Sequence, residues 1–86
     1  MIRFLLGESR ELQFKVTHAK GEEFIIRKAD YEISLNGEVV EKGEMHRDGH
    51  NLSIIFTPEH KGTHLLRFFY TVADTTRGAQ YFLGVE

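Results

Sequence analysis

The chain has no cysteine, no tryptophan and a single proline. Without thiols there can be no disulfide scaffold, no thiolate zinc site and no cysteine nucleophile, so the fold must stand on packing alone. Such a domain suits a reducing interior, or a particle assembled in one. Charge of one sign never gathers in a block: 11 basic and 13 acidic residues are scattered along the chain, for a net charge of −2. Phosphate neutralisation needs clustered Lys and Arg, so nothing in the sequence supports nucleic-acid binding. No apolar run approaches the length of a membrane span. The opening MIRFLL is too short for a signal-peptide core and lacks a small-residue cleavage site after it, so it reads as a strand. The expectation is a protein made in the cytoplasm, with no membrane partner. Helical patterning is missing too, because no window of a dozen residues keeps apolar side chains at i, i+3 and i+4.

What recurs instead is alternation of period two, the signature of strands with one buried face. The 86 residues are expected to form one small domain, 1–86, whose thin core buries roughly 60–65% of the surface the unfolded chain exposes. Residues 2–6 read as a first strand closed by Gly7. Residues 11–18 alternate, with Leu12, Phe14 and Val16 inward and Gln13, Lys15 and Thr17 outward. A turn over 19–23 and a short apolar piece at 24–26 follow. Tyr31, Ile33 and Leu35 make the inner face of the next strand. Asn36-Gly37 then predicts a type I′ hairpin, which needs positive φ at both central residues. The return strand, 38–45, is polar and interrupted by Gly43, and reads as a sheet edge. After the Asp48-Gly49 turn, Leu52, Ile54 and Phe56 point inward, and Thr57-Pro58 ends that strand.

The stretch THLLRFFYTVA, 63–73, is the richest in aromatic and β-branched mass and reads as a central strand with Leu66, Phe68, Tyr70 and Val72 inward. A loop over 75–78 would pair Tyr70 with Leu83, Val72 with Tyr81 and Phe68 with Val85, gathering the large apolar residues on one side. Strands of this length and spacing predict an all-β fold, an antiparallel β-sandwich of about seven strands.

From residue 30 onward the order of parts resembles an immunoglobulin-like sandwich. DYEISLNGEVVEKGEM stands as strands C and C′, DGHNLSIIF as E, and the corner PEHKGTH leads to strand F and a final hairpin. In that family the corner often reads Gly-x-Tyr, with the tyrosine bonding back to the backbone. Here Gly62-Thr63-His64 puts histidine in its place, and the cysteine pair and strand C tryptophan of antibody domains are absent. More narrowly, residues 30–86 are similar to small Ig-like structural proteins of tailed bacteriophages and prophages. The resemblance implies a role in a virion or its assembly and carries over no catalytic residue.

Chemistry in the sequence is sparse. The histidine pairs His46/His50 and His60/His64 have spacing that would share a helix face, but on strands i and i+4 lie about 13 Å apart. They are expected to be solvated turn residues, with His64 half-buried at the corner. Ser9, Ser34 and Ser53 sit in no nucleophile motif, and Asp30, Asp48 and Asp74 fall at strand ends where Asx turns account for them. The pairs Glu22/Glu23 and Glu41/Glu44 fall on turns or an edge. No enzyme, metal or cofactor is expected. The informative anomaly points outward. Leu65, Phe69 and Phe82 are expected to form one apolar patch on the outer face of the last hairpin, with Phe69 covering Gly84. Ile55 belongs to the other sheet. The expected function is a non-enzymatic interaction or assembly module with a protein partner or with itself. The alternative is a carbohydrate-binding sandwich using Tyr31, Tyr70, Tyr81 or exposed Phe rings.

Overall fold

The structure, a computed structural model, describes residues 1–17 and 24–86. The alternating segments form β1 (Ile2–Phe4), β2 (Arg10–Lys15), β3 (Ile26–Leu35), β4 (Glu38–Glu44), β5 (His46–Asp48), β6 (Asn51–Phe56), β7 (Gly62–Val72) and β8 (Thr75–Val85). They lie in two sheets, in the orders β1-β8-β7-β3-β4 and β2-β6-β5. Every pairing is antiparallel except β1 with β8, which is parallel. The molecule is an all-β sandwich. The turn expected over 19–23 lies outside the described residues.

Alternation puts Leu12, Leu52, Ile54 and Phe56 of one sheet against Ile33, Leu66, Phe68, Leu83 and Val85 of the other. Phe4 closes one end, its ring edge-on to Phe56 at 5.3 Å between centroids. Phe14 packs on Phe68 at 4.8 Å and on Tyr81 at 5.0 Å. Each large apolar side chain fully removed from water contributes roughly 1.5–3 kcal/mol. β7 and β8 run for 11 residues each, whereas β5 and β6 have 3 and 6. The smaller sheet cannot cover the whole inner face, so Tyr31, Tyr70, Val72 and Ala79 point inward but are only partly buried.

Four expectations are corrected. The last hairpin turns over Ala73-Asp74, not 75–78, and pairs Val72 with Thr75 and Tyr70 with Arg77 rather than Leu83. The tighter turn gives a ladder of eleven residue pairs, from Val72–Thr75 to Gly62–Val85, and adds a Thr71–Thr76 hydroxyl hydrogen bond of 3.0 Å. In return Ala73 takes a positive φ of 52°. Tyr70's partner has moved by an even number of residues, so every side chain keeps its face. Second, the pieces at 24–26 and 31–35 belong largely to one strand, β3, which runs through the polar Arg27-Lys28-Ala29-Asp30 and carries a bulge between Ile26 and Lys28. Third, β4 is not broken at Gly43. Gly43 pairs with Tyr31, whose ring lies over it, and the irregularity falls near Val40 instead. Fourth, His64 is fully buried, 1% exposed. It points into the core because it alternates with Leu66 and Phe68. Its Nδ1 is 3.2 Å from the Gly62 carbonyl and its ring meets Phe56 edge-on. The imidazole thus ties the corner to the backbone.

Candidate functional site: the outer face of the large sheet

Side chains that alternate away from the core on β3, β4, β7 and β8 share one open face, and the register arranges them in rows. One row carries Val39, Ser34, Leu65 and Phe82. The next carries Lys42, Glu32, Arg67 and Gln80, and the third Glu44, Asp30, Phe69 and Gly78. Of the three residues singled out from sequence, Leu65 and Phe82 are therefore brought together as a direct cross-strand pair. Phe69 is not with them. It stands four residues along β7 from Leu65, about 13 Å away, with the charged row between.

Phe82 is 54% exposed, Val39 50% and Phe69 44%, values high enough to leave each side chain available to a partner. Phe69 does not cover Gly84 as expected. Its ring covers Gly78, where an added Cβ would stand 2.8 Å from Cε1. Gly84 lies under Met1, whose Sδ would be 2.7 Å from a Cβ there. Met1 thus extends the Leu65–Phe82 row toward β1. Arg67 is held between the bands: its guanidinium is 5.9 Å from the Phe69 centroid and 3.8 Å from the Glu32 carboxylate. The face is banded, apolar then charged then aromatic. Val39 was within reach of the sequence, because a two-residue turn at Asn36-Gly37 pairs it with Ser34 in the Leu65 row. The cover by Met1 had no local signal.

Beside Phe69 an open groove of about 470 Å³ runs over β3 and β4, lined by Asp30, Tyr31, Glu32, Lys42, Gly43 and Glu44. Tyr31 donates a 2.7 Å hydrogen bond to the Glu41 carboxylate. Burial of the ring, then that bond and the Glu41 charge, push its phenol up to about 12. Turned to the inner side of β3, this phenol is not an acid for chemistry at neutral pH.

The other candidates are dispersed. Ile55 lies on the opposite sheet, across from Glu11. His46 and His50 flank the Asp48-Gly49 turn; His50 stacks on Phe24 at 4.0 Å and meets its carbonyl at 3.1 Å. Among the described residues no three His, Asp or Glu side chains converge as metal ligands. Asn36 and Gly37 have φ of 52° and 84°, as the type I′ turn requires. No described helix is long and apolar enough to cross a membrane.

No protein-family model and no curated protein matches the sequence. By structure the chain is similar to an engineered protein solved by the Northeast Structural Genomics Consortium, with TM-score 0.79 and 16% identity over 99% of this chain and 18% of that one. It is also similar to a "putative glycoside hydrolase" from Bacteroides vulgatus ATCC 8482, with TM-score 0.55 and 20% identity over 100% of this chain and 17% of that one. At such identities the likeness is one of fold. The chain spans less than a fifth of either protein it matches, so the same sandwich also occurs as a small part of much longer chains.

Proposed function

We propose that this sandwich is a non-enzymatic interaction module whose outer Leu65–Phe82 face docks a neighbouring protein module. The observation that carries the reading is the apolar row of the exposed Val39 and Phe82 with the half-buried Leu65 between them, continued by Met1 and bordered by Arg67 and Glu32. An aromatic anchor beside paired charges is the usual make-up of a protein interface, with the charges setting register and the ring supplying most of the affinity. A folded module is the favoured occupant because the sheet face is broad and because the fold recurs as a small part of long chains. The resemblance of residues 30–86 to small structural proteins of phages is what suggests a virion or its assembly as the setting for such docking. The test is sedimentation over a concentration series, alone and with extracts of assembling particles, for the native chain, Phe82→Asp and Phe69→Asp. Loss of association in Phe82→Asp with little change in Phe69→Asp supports the reading. Equal association in all three chains rejects it.

A second reading has its own observation. Phe69 stands beside the carboxylates of Asp30, Glu32 and Glu44 in the groove over β3 and β4, a ring next to hydrogen-bond acceptors as a sugar site needs. Tyr31 and Tyr70 are turned inward, so in this groove Phe69 is the stacking platform. Retardation of the chain in polysaccharide gels, abolished by Phe69→Ala, would favour this reading over the first.

A further inference from the structure

We propose that the fork where β4 leaves β3 is an oxyanion site that takes the phosphate or sulfate group of a larger ligand. At Met45 the chain passes from the large sheet to the small one, and the Met45 amide makes its last bond to β3, 2.9 Å to the Ala29 carbonyl. Beyond that point no described strand pairs with β3 on this side. The bulge between Ile26 and Lys28 lies there as well, and bulges turn side chains away from their regular directions. Arg47, coming from β5 in the other sheet, donates Nη1 to the Ile26 carbonyl at 2.9 Å and also to the Arg27 carbonyl. Those two bonds hold the guanidinium in one place, and a guanidinium has five N–H donors in a rigid fork suited to oxyanions.

Around it a groove of about 410 Å³ is lined by Arg27, Lys28, Glu44, His46 and Arg47 together with Ala29 and Met45. Three permanent cations and one imidazole thus meet a single lining carboxylate, in a chain whose net charge is −2. Lys28 is shared with the exposed Asp30 at 3.4 Å, and Arg27 gives one donor to the Ala73 carbonyl at 3.3 Å. An exposed pair of that kind is worth little, about 0–1 kcal/mol, so Lys28 can exchange Asp30 for an incoming anion. A tetrahedral oxyanion offers several acceptors to the cationic side chains that line this groove, and charge-assisted bonds to it are the strong kind. A neutral ligand would leave the cations uncompensated.

The experiment is a titration of the isotopically labelled full chain at low chloride, with inorganic phosphate and separately with sulfate, read by backbone amide shifts. Saturable shifts confined to residues 26–29 and 44–47, with a dissociation constant of about 1 mM, are expected. Arg27 and Lys28 are exposed, so Arg27→Gln/Lys28→Gln should stay folded and weaken binding about tenfold, whereas Glu44→Gln should tighten it about twofold to fivefold by removing the opposing charge. Lys61→Gln, outside the groove, should bind as the native chain does. Equal binding of both anions assigns a general oxyanion site; preference for one assigns phosphate or sulfate esters. Unsaturable shifts spread over the surface, or native affinity in the double variant, would overturn the proposal.

Discussion

The Phe69 ring lies against the backbone of Gly78, its cross-strand partner, so closely that a Cβ there would stand 2.8 and 2.9 Å from ring carbons. An aromatic covering a strand glycine replaces the packing that the missing side chain would have supplied.

The two positions should therefore be coupled. Gly78→Ala alone must push the ring toward solvent and should cost about 1 kcal/mol. In a Phe69→Ala background the same change should stabilise by about 0.5–1 kcal/mol, because alanine holds an extended backbone better than glycine. Urea denaturation of the four chains measures the cycle. A Gly78→Ala effect of the same sign in both backgrounds would refute the coupling.

Ala73 forms the tip of the long hairpin with φ of 52°. For an L-residue that region costs roughly 1–2 kcal/mol, and glycine gives back roughly 0.5–1 kcal/mol of it in chain entropy. Ala73→Gly should accordingly raise stability by about 0.5–1 kcal/mol, seen as a higher Tm. Gly37→Ala, at φ 84°, should do the reverse. A lower Tm for Ala73→Gly would mean that the turn is not at 73–74.

Phe68 and Tyr70 point the same way from one strand but differ in cover. Phe68 is 3% exposed, whereas Tyr70 is only partly buried beneath the end of the smaller sheet. Phe68→Ala should cost about 3–5 kcal/mol and Tyr70→Ala about 1–2 kcal/mol. Equal losses on chemical denaturation would show that the smaller sheet reaches farther over β7 than described.

Tyr31 makes stability depend on alkaline pH. Its phenol is raised from 10.0 to about 12 by burial, then by the hydrogen bond and charge of Glu41. A group whose folded value is the higher one contributes stability that is complete below the unfolded value and is lost as pH rises through the folded one. The native chain should thus lose stability between about pH 10 and 12, and Tyr31→Phe should lose less over that window. Tyrosinate absorbance should show one of the three tyrosines ionising late. A Tyr31→Phe profile parallel to the native one would show that the Glu41 bond is not kept in solution.

Much of this molecule was legible in its chain. The alternation at Leu12-Phe14-Val16, Leu52-Ile54-Phe56 and Leu66-Phe68 named the inner faces. Asn36-Gly37 named its own turn, because few residues other than asparagine and glycine accept positive φ readily. That Leu65 and Phe82 face outward followed from the same parity, unaffected by the wrong turn in the last hairpin because the partner moved by an even number of residues; their direct pairing did not. Misreadings fell where a local rule was overruled. Ala73 has no turn signal, and Arg27-Lys28-Ala29-Asp30 has no strand signal. Each takes its conformation because the long ladders of β3, β7 and β8 repay it.

Sequence alone thus determined which residues face the core and where the Asn36-Gly37 chain reversal falls, since both depend on neighbours within a few positions. Tertiary structure decided the register of β7 against β8, the separation of Phe69 from Phe82, and the burial of His64. It also decided the meeting of Arg27 and Lys28 with His46 and Arg47. Those outcomes depend on which strands lie side by side and where the chain changes sheets at Met45, and that is settled by the summed pairing and packing of the whole sandwich.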